Sequence, residues 1–420
     1  MSSPAQSSSF SGAEKRILAV LAAVQFVSIL DFMMVMPMGP DLGRALGISM
    51  NELGWIGGSY TFAAFVSGIA GSLYLDRLER RSALIWHLLG LALATAAGAL
   101  ATDFATLVAA RVAAGLFGGP ATSTLLAILS DVIRPEKRGR ALGIVMAAFS
   151  VASILGVPVG LELARLGGWK LPFLSVGGAA FVTALASALL LPSVEHHRRA
   201  AQAAEAASGD GTEALLSRGA VPISLFLAAN AILATFLLVP NLSAFLQFSL
   251  GFPRERLGLL YFVGGVLSLI STRFGGIWND RIGSFKPLAT STTLFIVVLA
   301  TGMLFDPPLI ASLTDGGSTQ TAIVAWFGLL MFTNSLRWIS ISTLTSKVPP
   351  ARHRARYMSL LSAVQHLSSS LGAFLSTLLL TTGEAGRLVG LPRLAAVSLG
   401  ISLMIPPLAL VVQRLLQKNR

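Results

Sequence analysis

No cysteine occurs among the 420 residues, and only 19 residues are acidic. The first absence excludes disulfides and any cysteine-ligated metal or haem, and it leaves redox compartment unreadable. The scarcity of charge says more. Charged residues make up 12% of the chain and hydrophobic ones 54%, whereas soluble domains carry roughly a quarter charged residues. A Walker lysine loop, zinc-ligand spacing and a nucleophile elbow in a credible setting are also missing, so neither ATP hydrolysis nor covalent enzyme chemistry is expected, and no cofactor or metal. What is abundant is apolar length. The stretches 17–40, 82–101 and 394–412 each hold at most one charge, and about 20 such residues let a helix cross a hydrocarbon core of roughly 30 Å with its backbone groups satisfied internally.

Apolar runs bounded by charge, glycine or proline place spans near 17–39, 53–75, 82–101, 105–130, 140–163, 171–191, 220–248, 257–278, 286–305, 320–345, 356–380 and 394–415. These are twelve, and Pro240 offers the seventh a place to break. The polar residues 1–16 hold no apolar stretch, so insertion is expected to begin with the first span. With the N-terminus taken as cytoplasmic and span-edge residues counted with their loops, 21 of the 31 lysines and arginines fall in the termini and even-numbered loops, and 7 in odd-numbered loops. The positive-inside rule then puts both termini in the cytoplasm. By this account the net charge of +12 serves topology and lipid headgroups, and nucleic acid is not an expected partner.

The longest interior polar stretch, from Glu195 to Gly219, reads as a cytoplasmic linker. It divides the chain into a tail 1–16, a bundle 17–191, a linker 192–219, a bundle 220–415 and a tail 416–420. The halves echo one another. SLYLDRLERR from Ser72 and GIWNDRIGSF from Gly276 share an Asp-Arg core 204 residues apart, and PEKRGR from Pro135 resembles ARHRAR from Ala351, 216 apart. Two echoes at similar offsets in corresponding loops fit a parallel repeat of six spans each, related by an axis along the membrane normal. The fold class expected is an all-α membrane protein of twelve transmembrane helices in two pseudo-symmetric six-helix bundles.

These residues resemble the major facilitator superfamily, in its twelve-span branch of drug:proton antiporters and arabinose-efflux-permease-like proteins. Against the family loop pattern G-x-L-x-D-R-x-G-R-[KR], Asp76, Arg77, Arg80 and Arg81 match while Ser72 and Glu79 replace both glycines; the second copy keeps Gly276, Asp280, Arg281 and Gly283. The resemblance implies gating latches, Asp76 facing the start of span eleven and Asp280 the start of span five, with Arg77, Arg81 and Arg281 adding charge-assisted bonds. Arg111, Gly115 and Gly119 resemble the fourth-span R-x-x-x-G pattern. Gly156, Pro158 and Gly160, followed by Gly168, Trp169, Lys170 and Phe173, resemble the efflux branch's G-x-P-x-G and G-W-[RK]-x-x-F patterns. Small residues so spaced let another helix approach, and the proline bends its own.

Asp31 is the one carboxylate well within an apolar span. It lies about 14 residues, roughly 21 Å, from the end of its helix nearer the N-terminus, and Arg111, entering from the opposite end, reaches a similar depth. Intramembrane ionisable residues mark functional sites by default. Contact with the arginine favours the carboxylate form and burial without it the acid, so Asp31 and Arg111 are expected to meet and to carry proton coupling, with a static ion pair that fixes the fold as the alternative. Gln25, Phe26, Met34, Asn230, Asn334 and Arg337 are the candidate substrate contacts. By resemblance the protein would be a monomer of the bacterial inner membrane that exports a small amphipathic or sugar-like molecule by proton antiport and alternating access. The same fold also runs as a proton symporter or facilitator for uptake, and a transport-inactive membrane sensor or assembly partner stands as the alternative of another class.

Overall fold

The computed structural model describes residues 10–74, 78–193, 215–217, 219–305, 308–312, 319–349 and 353–418. Its helices follow from apolar length, caps and breakers. Ser11 and Glu14 form a capping box, the Ser11 hydroxyl accepting from the Glu14 N–H at 3.1 Å and the Glu14 carboxylate from the Ser11 N–H at 2.7 Å, and helix α1 (Gly12–Val35) therefore begins ahead of the expected span. Next come α2 (Leu53–Tyr74), α3 (Arg80–Gly98) and α4 (Phe104–Val132), the last capped by Asp103. Helix α5 is built from Pro135–Val151, a π-helical turn Ala152–Gly156 and Val157–Gly167, and α6 is Lys170–Leu190.

In the second half α7 starts as Ala220–Phe236 and breaks where Pro240 withholds an N–H, into a 3₁₀ turn Val239–Asn241 and a π turn Phe245–Ser249. Then follow α8 (Leu257–Ile282), α9 (Phe285–Leu304), α10 (Thr319–Thr345), α11 (Arg354–Leu379) and α12 (Leu391–Lys418). Eleven of these twelve are long and apolar enough to cross a bilayer. The remaining one, α11, has 26 residues but too many serines, with Gln365 and His366, to read as apolar; it is the span that composition describes least well.

The packing repeats across the halves. Helix α2 lies along α4 as α8 lies along α10; α3 contacts α6 as α9 contacts α12; α1 contacts α5 as α7 contacts α11. Between the halves the contacts exchange partners, α2 with α11 and α8 with α5, as a pseudo-twofold axis requires. Peripheral side chains such as Leu93, Leu189, Val297 and Leu403 are left exposed. On a soluble protein such surface is a liability, whereas lipid covers it.

Core placement gives the bundle its asymmetry from end to end. Away from the termini one continuous apolar core joins both halves, running from Met34, Leu53 and Leu161 to Leu242, Phe245 and Leu257. Toward the end that carries the termini, each half closes on a core of its own: Leu21, Leu84, Ile128 and Val145 in one, Leu225, Leu288, Tyr357 and Val412 in the other. Among the described residues, therefore, the two bundles share an apolar core only at the far end.

Candidate functional site

The N-terminal half holds a fully buried ion pair. Arg111 on α4 donates from Nη1 to Asp31 Oδ1 at 2.9 Å, and from Nη2 to Asp31 Oδ2 at 3.3 Å and the Asp31 carbonyl at 3.1 Å. Thr95 on α3 donates its hydroxyl to Asp31 Oδ1 at 2.8 Å. The Tyr60 ring from α2 lies 4.6 Å from the guanidinium carbon. Relative exposure is 0% for Asp31 and 1% for Arg111, so neither charge is screened by water. Close backbone approach makes room for this: a Cβ on Gly115 would sit 2.2 Å from the Tyr60 carbonyl, which is why α2 and α4 cross there. The two residues singled out for coupling thus meet, and the chemistry they can perform is the making and breaking of one desolvated charge contact. Thr95 and Tyr60 carry no mark in the sequence, since nothing in α2 or α3 distinguishes the inward position.

The C-terminal half holds an arginine of the same burial that meets no acid among the described residues. Arg337 on α10, 1% exposed, donates from Nη2 to Thr235 Oγ1 on α7 at 2.8 Å and to Asn334 Oδ1 at 3.0 Å, and from Nη1 to Ser402 Oγ on α12 at 3.2 Å. Its guanidinium lies 3.9 Å from the centroid of Phe295 on α9. Between the two arginines runs a stack of rings: Tyr60 on Phe32 at 5.5 Å, and Phe32 on Phe236 at 5.8 Å, the last contact crossing from one half to the other.

Among the other candidate contacts, Phe26 is half-buried, packed against the shared core. Gln25 is buried with its Oε1 unbonded among the described residues, and Asn230 spends its amide on the Phe226 carbonyl one turn back at 2.8 Å. Met34 is 1% exposed, beneath Gly160 on α5 at 3.7 Å from where a Cβ would stand. It is a packing residue in this conformation, because α1 and α5 close over it.

Gly156 meets Leu30 of α1, where an added Cβ would approach the Leu30 side chain to 2.7 Å. On the other side of α5, Gly265 of α8 admits the Ile154 backbone, and a Cβ on Gly258 would stand 3.7 Å from the Pro158 carbonyl. The run of small residues thus lies where α5 meets both its own half and the other.

Of the expected latches, Asp76 and Arg77 fall outside the described residues. Arg81 donates to the Ala188 carbonyl on α6, and its neighbour Arg80 pairs with Asp131 on α4, so both arginines bind within their own half. The side chains of Asp280 and Arg281 are exposed and make no hydrogen bond or ion pair among the described residues. Gly283 ends α8 at φ +82, a conformation that suits glycine and starts the turn into α9.

A clamp that sequence reading missed closes the far end. Arg254, ahead of α8, grips Asp41 with Nε at 3.0 and 2.9 Å and Nη2 at 2.6 Å, and Nη2 also reaches the Leu161 carbonyl of α5 at 3.1 Å. Ser243 donates to the Pro37 carbonyl at 2.7 Å, and Thr382 to Asn51 Oδ1 at 2.9 Å, both between halves.

The fold is shared with known proteins. The structure superposes on a bacterial homolog of the human lysosomal transporter Spinster, in an inward-facing unoccupied conformation, with a TM-score of 0.73 at 15% identity over 98% of this chain and 99% of that one. It also superposes on a D-xylose-proton symporter with a TM-score of 0.74 at 17% identity over 95% and 97%. By sequence it is 24% identical to an uncharacterized MFS-type transporter of Bacillus subtilis (strain 168), over 65% of this chain and 69% of the relative. It is 31% identical to a chloramphenicol resistance protein of Streptomyces lividans over 33% and 35%, and 29% identical to a chloramphenicol efflux pump of Mycobacterium tuberculosis over 42% and 43%. The alignments thus span less than half the length of those two drug-resistance relatives. A family model described as Major Facilitator Superfamily matches residues 21–373 and, in a second match, 225–418, and the chain belongs to that family of membrane transporters.

Proposed function

We propose that this transporter exports a small amphipathic or sugar-like molecule in exchange for protons, with Asp31 as the proton carrier and Arg111 as its switchable partner. The observation that carries the reading is the buried pair itself: the one carboxylate deep within a span is wholly desolvated and held by Arg111 at 2.9 Å and Thr95 at 2.8 Å. In the conformation described, the Asp31 side chain is held by its arginine partner. Rocking that draws α4 from α1 leaves the carboxylate buried without a counter-ion, which favours uptake of a proton; restoring the contact expels it. Burial matters because an exposed pair would exchange charge with water at little cost in either state.

Both termini lie in the cytoplasm in this reading, so the shared core and the Arg254–Asp41 clamp close the periplasmic end of an inner-membrane monomer. The rest of the gate alternates with them: when the outer end opens, Asp76, Arg77, Asp280 and Arg281 engage the starts of α11 and α5. Gly156, Pro158 and Gly160 let α5 slide between α1 and α8. Similarity to two proteins named for chloramphenicol supports export over uptake, and makes chloramphenicol the first compound to try.

The test uses purified protein in liposomes with an internal pH reporter and a compound panel that includes chloramphenicol. Wild type is expected to move protons when a transported compound is added, and Asp31→Asn to lose that exchange. Full substrate-driven proton exchange by Asp31→Asn would leave the pair a structural brace. Accumulation in everted vesicles, rather than depletion, fixes the direction as outward.

A further inference from the structure

Asp31 and Thr235 lie 204 residues apart, the same offset as the Asp-Arg turns at Asp76 and Asp280, and each is followed by a phenylalanine, Phe32 and Phe236. The repeat therefore pairs Asp31 with Thr235 and Phe32 with Phe236. The structure uses the pairing: the two phenylalanines stack on each other between the halves, while the residue before each reaches outward to a buried arginine, Asp31 to Arg111 and Thr235 to Arg337. In each half, then, the residue before the phenylalanine meets a buried arginine, although the arginines themselves are not repeat partners: Arg111 stands in the first half of α4 and Arg337 in the second half of α10. In the N-terminal bundle, the arginine meets a carboxylate; in the C-terminal one, that position is a threonine.

Arg337 is left with a full charge and neutral company. Its acceptors are two hydroxyls and one amide oxygen, and the Phe295 ring offers only its face. No aspartate or glutamate occurs in the spans α7 to α12 except Asp280 in the last turn of α8, and that side chain is exposed and bonded to no described residue. A buried cation without a counter-ion is costly in a medium of low dielectric, and an embedded arginine ordinarily faces a partner or a pathway. Thr235 and Asn334, its partners nearest the junction of the halves, are only half-buried, so a ligand between the bundles meets them first and the guanidinium directly behind.

We propose that Arg337, with Thr235 and Asn334, is the docking point for the carboxylate of an amphipathic organic acid, which supplies the negative charge that Asp31 supplies in the other half. The rings of Phe236 and Phe32 beside it receive the apolar part of the same molecule. This names a substrate class for the transporter proposed above and rests on that reading. Its test is equilibrium binding, which needs no proton coupling, so the two can fail separately.

The experiment is calorimetric titration of the full-length protein in phosphatidylcholine nanodiscs, free of anionic lipid, with matched pairs of 2-naphthoate and 2-naphthamide, and decanoate and decanamide. Wild type is expected to bind at least one carboxylate about ten-fold or more tighter than its amide, the order expected for a desolvated charge-assisted bond. Arg337→Gln removes the preference and Arg337→Lys keeps part of it, since a point charge lacks the guanidinium fork. Should Arg337→Gln fold poorly, Thr235→Asp decides: it installs the acid of the other half, so the protein should melt higher and lose its preference for the carboxylate. Equal binding of acid and amide throughout the panel, a preference that survives Arg337→Gln, or one unchanged in Thr235→Asp overturns the proposal.

Discussion

Replacing Arg254 by glutamine should tip the balance between the two ends of the transporter. Arg254 binds Asp41 through three contacts of 2.6 to 3.0 Å and the Leu161 carbonyl at 3.1 Å. Because Asp41 and Leu161 belong to one half and Arg254 to the other, all of these bonds exist only while the far end is closed. The two side chains are 14% and 15% exposed, between the surface case, worth about 0–1 kcal/mol, and the buried case, where removing one member costs about 3–5 kcal/mol. Arg44 also binds Asp41, at 2.6 Å within its own half, so in the variant the carboxylate keeps a partner and the loss falls toward the lower part of that range. A loss of about 1.4 kcal/mol is a ten-fold change in an equilibrium constant.

The assay profits from the absence of cysteine: nitroxides placed through Ala45→Cys and Thr381→Cys, both exposed and one in each half, label a chain with no background thiol. Pulsed electron–electron distance measurement reads the populations of short and long separations. Arg254→Gln should raise the ratio of long to short about ten-fold, the exchanged pair Asp41→Arg with Arg254→Asp should recover much of the wild-type ratio, and high salt should narrow the difference because the pair is partly exposed. A shift below two-fold in Arg254→Gln, in low salt, would refute the claim that this clamp holds the far end.

Gly54 and Gly115 make a contrasting pair. A Cβ at Gly54 would lie 2.2 Å from the Ala373 carbonyl of the other half, and one at Gly115 would lie 2.2 Å from the Tyr60 carbonyl of its own half. Gly54→Ala should therefore open the far end in the same distance measurement with little loss of melting temperature, whereas Gly115→Ala should lower stability by about 1–3 kcal/mol in thermal melts. Asp103 provides a test by pH. Its carboxylate accepts the Thr106 N–H at 2.9 Å, and that backbone bond, followed by the Thr106 side-chain bond, holds its pKa below the ordinary aspartate value. The depressed value means the bond stabilises the fold above the unfolded aspartate range, about 4, and stops doing so as acid carries pH down through the folded value. The advantage of wild type over Asp103→Ala in melts should accordingly be constant near neutrality and vanish in acid.

Much of the architecture was legible because a bilayer restricts it so severely. Lipid demands helices of a fixed length, and the spans near 53–75, 82–101 and 320–345 fall within a few residues of α2, α3 and α10. Caps and breaks were less legible: the box at Ser11 and Glu14 starts α1 early, and α11 is a span that composition underrates. The site was half legible. Asp31 and Arg111 stand out as rare charges among apolar residues, and their similar depth, counted from opposite ends of their spans, paired them. Thr95, Tyr60, Thr235, Ser402 and Phe295 are common residue types in such spans, and nothing local marks them.

The sequence by itself determined twelve spans, their duplication and the few embedded charges, since each is written in composition or in recurrence. Only the tertiary structure decided which face of each helix turns inward, because helices that are apolar all round carry no period from which to read it. It is that choice of faces, fixed by glycines where backbones touch and by caps where helices begin, that gives Arg111 an acid, leaves Arg337 without one, and joins Arg254 to Asp41 across 213 residues of chain.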